Sequence, residues 1–145
     1  MPQTPTNHYF NNEDETRDFA RQFATTLKPR DVVLLNGDLG AGKTALAREV
    51  IRTLSNNPDQ PVPSPTFTLV QTYDSPNMEI WHFDLYRLTD PEEIFELGWE
   101  EAMSGPLVLV EWPDRLGDYR PENAIEILLK IGDNGPDSRV LTIRR

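Results

Sequence analysis

A chain of 145 residues with no cysteine, and with 24 acidic against 14 basic side chains, sets limits before any motif is found. Its length suits one domain with one core, the lack of thiols excludes disulfides and thiolate metal sites, and a net charge of −10 argues against a chain that grips a nucleic-acid backbone by itself. Hydrophobic residues make up 37% and charged residues 26%, the first seven residues show no basic-then-apolar leader pattern, and no apolar stretch reaches membrane-spanning length, so a globular cytoplasmic protein with no membrane contact is expected.

Residues 1–10 are polar and contain prolines, which predicts a loose N-terminal arm and leaves 11–145 as the folded domain. Asn12 followed by Glu15 has the form of a capping box, and Phe19, Phe23 and Leu27 share one helical face, so a helix is predicted from there to Pro29. Val32 to Leu35 is a continuous apolar run, the pattern of a strand buried on both faces. After a glycine-rich loop, Leu46, Val50, Ile51 and Leu54 form the apolar stripe of a second helix. A proline-rich loop over 55–65 precedes two strand-like segments, Phe67 to Tyr73 and Met78 to Tyr86, joined by turn residues 74–77. Asp90-Pro91-Glu92-Glu93 starts a helix that Gly98 ends. Leu107 to Val110 is a second buried strand, and 124–131 and 139–143 flank a turn at 132–136. The pattern predicts a single α/β domain whose central sheet is partly parallel with antiparallel hairpin additions.

The glycine-rich loop is Gly37-Asp38-Leu39-Gly40-Ala41-Gly42-Lys43-Thr44, set between the first buried strand and the second helix. This is the P-loop arrangement. Glycines let the backbone curl so that N–H groups face phosphate oxygens, and the helix N-terminus adds partial positive charge at the same place. Lys43 is suited to the outer phosphates and Thr44 to Mg²⁺.

A nucleotide hydrolase needs a further acid at the end of a neighbouring buried strand. Two residues fit. Glu111 ends Leu107–Val110, and Asp84 lies within Ile80–Arg87. A carboxylate in such a strand is costly without a partner, and Mg²⁺ or Lys43 would serve. Either acid could instead orient the attacking water. Ser64-Pro65-Thr66 reads as a proline-ordered turn whose hydroxyls could also sense a γ-phosphate. Trp112 reads as an aromatic cover for the core, with a stacking or packing element near the nucleotide as the alternative, and His82 as a structural histidine rather than a base. There is no Asn-Lys-x-Asp guanine motif, and no compelling arginine arrangement among Arg87, Arg115 and Arg120, so hydrolysis is expected to be slow until a partner completes the site.

Four segments together, 37–44, Ser-Pro-Thr-Phe-Thr-Leu-Val (64–70), His-Phe-Asp-Leu-Tyr-Arg-Leu (82–88) and Val-Glu-Trp-Pro (110–113), resemble the TsaE (YjeE) family, from about Glu13 to Arg139. The helix start at Asp90 and Gly98 resembles the family as well. The resemblance implies a small P-loop NTPase that binds ATP and Mg²⁺ and acts with the TsaB–TsaD complex, which transfers threonylcarbamoyl to adenosine in tRNA. The tRNA would be reached only through those partners, in keeping with the acidic charge. By the same carry-over, Leu39, Gly40, Ala41, Gly42, Lys43 and Thr44 bind phosphates, and Thr44 and Glu111 hold Mg²⁺. Asp84 is a catalytic or metal-side acid, Thr66 belongs to a switch-like loop, and Glu13 and Arg139 lie towards the adenine. The chain departs from the family at Ala45, where many members carry a second Thr. Two other readings share the P-loop: a small-molecule kinase, and a non-catalytic module whose association is gated by nucleotide.

Overall fold

In the computed structural model, which describes residues 4–145, the buried apolar runs pair in parallel at the centre of one sheet. The strands are β1 (Thr6–Phe10), β2 (Val32–Asn36), β3 (Val70–Asp74), β4 (Glu79–Asp84), β5 (Leu107–Glu111), β6 (Ile125–Ile131) and β7 (Arg139–Arg144), in the order β1-β7-β6-β2-β5-β4-β3. β2 is parallel to β5 and β6, and β4 is parallel to β5. β3 on β4, β7 on β6 and β1 on β7 are antiparallel. The mixed α/β sheet with hairpin additions is therefore the architecture that the sequence pattern predicts.

Alternation along the central strands divides the core in two. Val33, Leu35, Leu107, Leu109 and Ile80 face helices α1 (Glu13–Ala24) and α2 (Lys43–Leu54). Leu34, Val108, Val110, Trp81 and Phe83 face the opposite layer, made of a 3-10 segment at Pro91–Leu97, helix α3 (Trp99–Ala102) and a second 3-10 segment at Pro113–Tyr119. Among the described residues, no helix is long and apolar enough to cross a membrane.

Four expectations change. The predicted loose arm is strand β1 from Thr6 onward, whose His8 and Phe10 rings pack on Phe19 at 4.8 and 5.4 Å. Met1 to Gln3 lie outside the described residues. Helix α1 stops at Ala24, well before Pro29, because the Thr25 and Thr26 hydroxyls donate to the carbonyls of Gln22 (2.6 Å) and Phe23 (2.7 Å) and offer the backbone an alternative to the next turn. Strand β3 starts at Val70 rather than Phe67, since Leu69 has φ +67° and its N–H closes a turn on Pro65 O at 2.7 Å. The predicted helix after Asp90 is capped as expected, with Asp90 Oδ1 accepting from Glu92 N and Glu93 Oε1 from Asp90 N, but it winds as a 3-10 segment.

Candidate functional site

Three glycines shape the loop between β2 and α2. Gly37 has φ +154°, and a Cβ there would lie 2.5 Å from Leu129 O of β6, so no other residue fits without moving backbone. Gly40 (φ +84°) and Gly42 (φ +107°) hold left-handed conformations, and α2 begins directly after Gly42. The N-terminus of a three-turn helix is thereby aimed at the end of the sheet where β2, β4 and β5 finish.

Lys43 is 5% exposed. Its Nζ donates to Gly37 O and to Asp38 O (3.2 Å) and lies 3.8 Å above the centre of the Trp112 ring. Burial pushes its pKa down, against the opposing pull of Glu111 and Asp84. Trp112 thus borders the loop lysine and is not only a cover for the core.

Glu111 closes β5 at 2% exposure, beside Leu35 of β2 and Asp84 of β4 in register. Thr44 Oγ1 lies 2.8 Å from Glu111 Oε1 and 3.0 Å from Oε2. Oε2 also lies 2.7 Å from His82 Nε2. Asp84, equally buried, has a different set of partners: Oδ1 accepts from Tyr86 N at 3.0 Å, and Oδ2 from Thr66 Oγ1 at 3.2 Å, which is itself 2.7 Å from Ser64 Oγ. Period-two alternation explains the gathering, since His82, Asp84 and Glu111 all point to the α2 side of neighbouring strands.

These groups line a cavity of about 230 Å³, bounded by Leu39, Gly40, Gly42, Lys43, Thr44, Ala45, Ser64, Thr66, Asp84, Glu111 and Trp112. No arginine is among them: the Arg87 guanidinium stacks on Phe67 at 4.3 Å, Arg115 lies 6.0 Å from the Tyr86 ring and Arg120 pairs with Glu126. A second cavity of about 430 Å³ lies on the other side of Gly40, Gly42 and Ala45, and its walls include Glu13, Arg17, Ala41, Arg48, Leu129, Asp137 and Arg139. Of the residues singled out in the sequence, Glu13 and Arg139 thus stand at the second cavity. Ala41 is buried at its edge, Leu39, Gly40, Gly42, Lys43, Thr44, Thr66, Asp84, Glu111 and Trp112 meet at the first, and His82 lies behind Glu111 in the core. Arg139 is committed to backbone, with Nε on Ala41 O (2.7 Å) and a terminal nitrogen on Pro136 O (2.6 Å) and Ser138 O (2.8 Å). It braces the loop from β7. The contact of His82 with Glu111 was missed in the sequence, although its spacing of two from Asp84 signals a shared face.

Among the described residues there is no cluster of three or more His, Asp or Glu suited to a metal ion. One hydroxyl and one carboxylate in a cavity beside a glycine-rich loop instead match an ion that takes its remaining ligands from phosphate and water, as Mg²⁺ does. The residues therefore fit that ion.

A strand, a loop carrying Gly-x-x-x-x-Gly-Lys-Thr and a helix, with acids at the ends of two adjacent parallel strands, define a protein of the P-loop NTPase fold. The profile of the family described as "Threonylcarbamoyl adenosine biosynthesis protein TsaE" matches residues 10–140. The chain belongs to the TsaE family. It is 48% identical over 138 residues to the tRNA threonylcarbamoyladenosine biosynthesis protein TsaE of Rickettsia typhi, covering 95% of this chain and 94% of that one. It is 50% identical over 133 residues to the protein of the same name from Rickettsia bellii, covering 92% and 90%. The crystal structure of Bacillus subtilis YdiB superposes with a TM-score of 0.77 at 28% identity, covering 99% of this chain and 86% of that one.

Proposed function

We propose that this chain is a Mg²⁺-dependent ATPase of tRNA threonylcarbamoyladenosine biosynthesis, slow on its own, that works in the cytoplasm with the TsaB–TsaD complex and meets tRNA only through it. The observation that carries this reading is the meeting of Lys43, Thr44 and Glu111 around one cavity at the start of α2. The loop amides and Lys43 bind the β- and γ-phosphates, and Lys43 exchanges its two carbonyl acceptors for phosphate oxygens. Thr44 and Glu111 hold Mg²⁺, which neutralises charge developing on the phosphates. Asp84 and Thr66 line the same cavity, hydrogen-bonded to each other, and their role in this reading is to orient the attacking water. The Ser64–Thr66–Asp84 chain of hydrogen bonds gives the 64–66 loop a direct link to that position. The base extends past Gly40 and Gly42 into the larger cavity beside Glu13.

The lack of an arginine at the phosphate cavity among the described residues supports slow intrinsic turnover, because such a group is worth roughly 10³–10⁵ in rate. The net charge of −10 supports a role in which others hold the tRNA. The test is ATP turnover by the wild-type chain and by Glu111→Ala, each with and without TsaB–TsaD and tRNA. Stimulation by the partners that disappears in the variant is expected. Unchanged turnover with partners of demonstrated activity would overturn the pathway assignment, and phosphate transfer to a metabolite would favour a kinase.

A further inference from the structure

We propose that His82 is the positioning residue of the metal-side carboxylate: its Nε2–H holds Glu111 Oε2 so that Oε1 is presented to Thr44 and the metal position. The inference rests on the reading of Thr44 and Glu111 given above.

His82 is 0% exposed, in the middle of strand β4 and opposite Leu109 of β5. Its Nε2 lies 2.7 Å from Glu111 Oε2. A carboxylate oxygen accepts, so the proton of this bond sits on Nε2. The other ring nitrogen, Nδ1, is buried and has no hydrogen-bond partner among the described residues. A buried polar atom without a partner costs stability, and an aliphatic side chain in this strand would avoid that cost. The bond to Glu111 is what the histidine supplies in return.

Glu111 carries several rotatable bonds, and Thr44 alone does not fix its plane, because Thr44 Oγ1 is nearly equidistant from the two oxygens at 2.8 and 3.0 Å. The His82 contact breaks that near-symmetry. It occupies Oε2 from the core side and leaves Oε1 with Thr44 as its one hydrogen-bond partner among the described residues. Groups that orient a metal ligand in this way typically change metal affinity 10–100-fold when they are removed. His82 is fully buried and does not line the cavity, so it acts through Glu111.

Two variants of similar polarity separate this role from packing. In His82→Gln the side-chain amide reaches the place of Nε2, and in His82→Asn it reaches only the place of Nδ1. ATP affinity is measured for the full chain in EDTA and in saturating Mg²⁺, with a thermal melt of each variant. The wild type should bind more tightly with Mg²⁺. His82→Asn should lose about tenfold of that gain, with its affinity in EDTA within about twofold of wild type, and His82→Gln should recover most of the loss. In a Glu111→Gln background the Asn and Gln variants should no longer differ. Full retention of the Mg²⁺ gain in His82→Asn would overturn the inference alone. So would equal losses in the Asn and Gln variants, or an equal loss in EDTA. A wild-type chain with no Mg²⁺-dependent gain would overturn the underlying reading of Thr44 and Glu111, and this inference with it.

Discussion

Thr44 and Glu111 stand 67 residues apart in the chain, yet the Thr44 hydroxyl lies 2.8 Å from one Glu111 oxygen and 3.0 Å from the other. Two adjacent parallel strands make the contact possible. β2 delivers the loop and the start of α2, and β5 ends in register beside it, with Leu35 opposite Glu111. Both side chains therefore arrive at the carboxyl end of the sheet, where open α/β sheets place their ligands.

Replacing Glu111 with Ala should lower Mg²⁺-dependent ATP hydrolysis by about 100-fold, near 2.7 kcal/mol of transition-state stabilisation, and weaken nucleotide binding by much less. The carboxylate is asked to hold the ion, whereas Lys43 and the loop amides hold the phosphates. Steady-state hydrolysis and equilibrium binding on one preparation check this. A variant with wild-type kinetics would show that the metal side of the cavity lies elsewhere.

Lys43→Met should uncouple function from stability. The ammonium is nearly inaccessible, and its pKa is pushed down by burial, so the folded state bears a desolvation cost that Glu111 and Asp84 only partly offset. A methionine of similar length avoids that cost and also loses the two carbonyl hydrogen bonds. ATP affinity should fall more than tenfold while the melting temperature holds or rises. A melting temperature lowered by more than about 5 °C would mean that Lys43 supports the fold itself.

The parts of this molecule that were legible in the sequence are those whose signal is local. The apolar runs at Val32–Leu35 and Leu107–Val110, and the glycine spacing from Gly37 to Gly42, each dictate structure within a few residues. Strand β1 was hidden because its edge position leaves Thr6, Asn7 and Tyr9 exposed, and its stability comes from β7, some 130 residues away. The partner of His82 was hidden for a similar reason. Alternation places His82 on the Asp84 face, but only the β4–β5 register brings Glu111 to it. Arg139 shows the converse: it lines the second cavity, while its hydrogen bonds go to three backbone carbonyls, which no local signal in the sequence announces.

The capping box at Asp90 should give stability a pH dependence of definite sign. The Thr89 hydroxyl, 2.6 Å from Glu93 Oε1, and the Asp90 backbone N–H hold the Glu93 carboxyl below its ordinary pKa. A pKa lower in the folded than in the unfolded state means that ionisation favours folding. The contribution is therefore complete above the ordinary carboxylate range and is lost as pH falls through that range towards the folded value. Glu93→Gln keeps a side chain that can accept the same bonds but cannot titrate. Denaturant unfolding between neutral pH and pH 3 should show a shallower acid loss for the variant than for the wild type. Parallel profiles would exclude the cap as a source of acid sensitivity.

Gly37 and Gly40 should differ sharply when each is changed to Ala, although both have positive φ. At Gly40 a Cβ meets nothing within 4 Å, so Gly40→Ala adds only the strain of a left-handed backbone, about 1 kcal/mol. At Gly37 the new Cβ would lie 2.5 Å from the carbonyl oxygen of Leu129, a backbone atom held in the β6 ladder. Relief requires the loop or the β2–β6 pair to shift, which adds an overpacking cost of about 1–3 kcal/mol to the strain. Urea unfolding of the ligand-free chain should place the Gly37→Ala midpoint clearly below that of Gly40→Ala, with the slope unchanged. Equal midpoints would mean that the loop yields freely at Gly37, and that the close approach to Leu129 does not hold the phosphate loop in place.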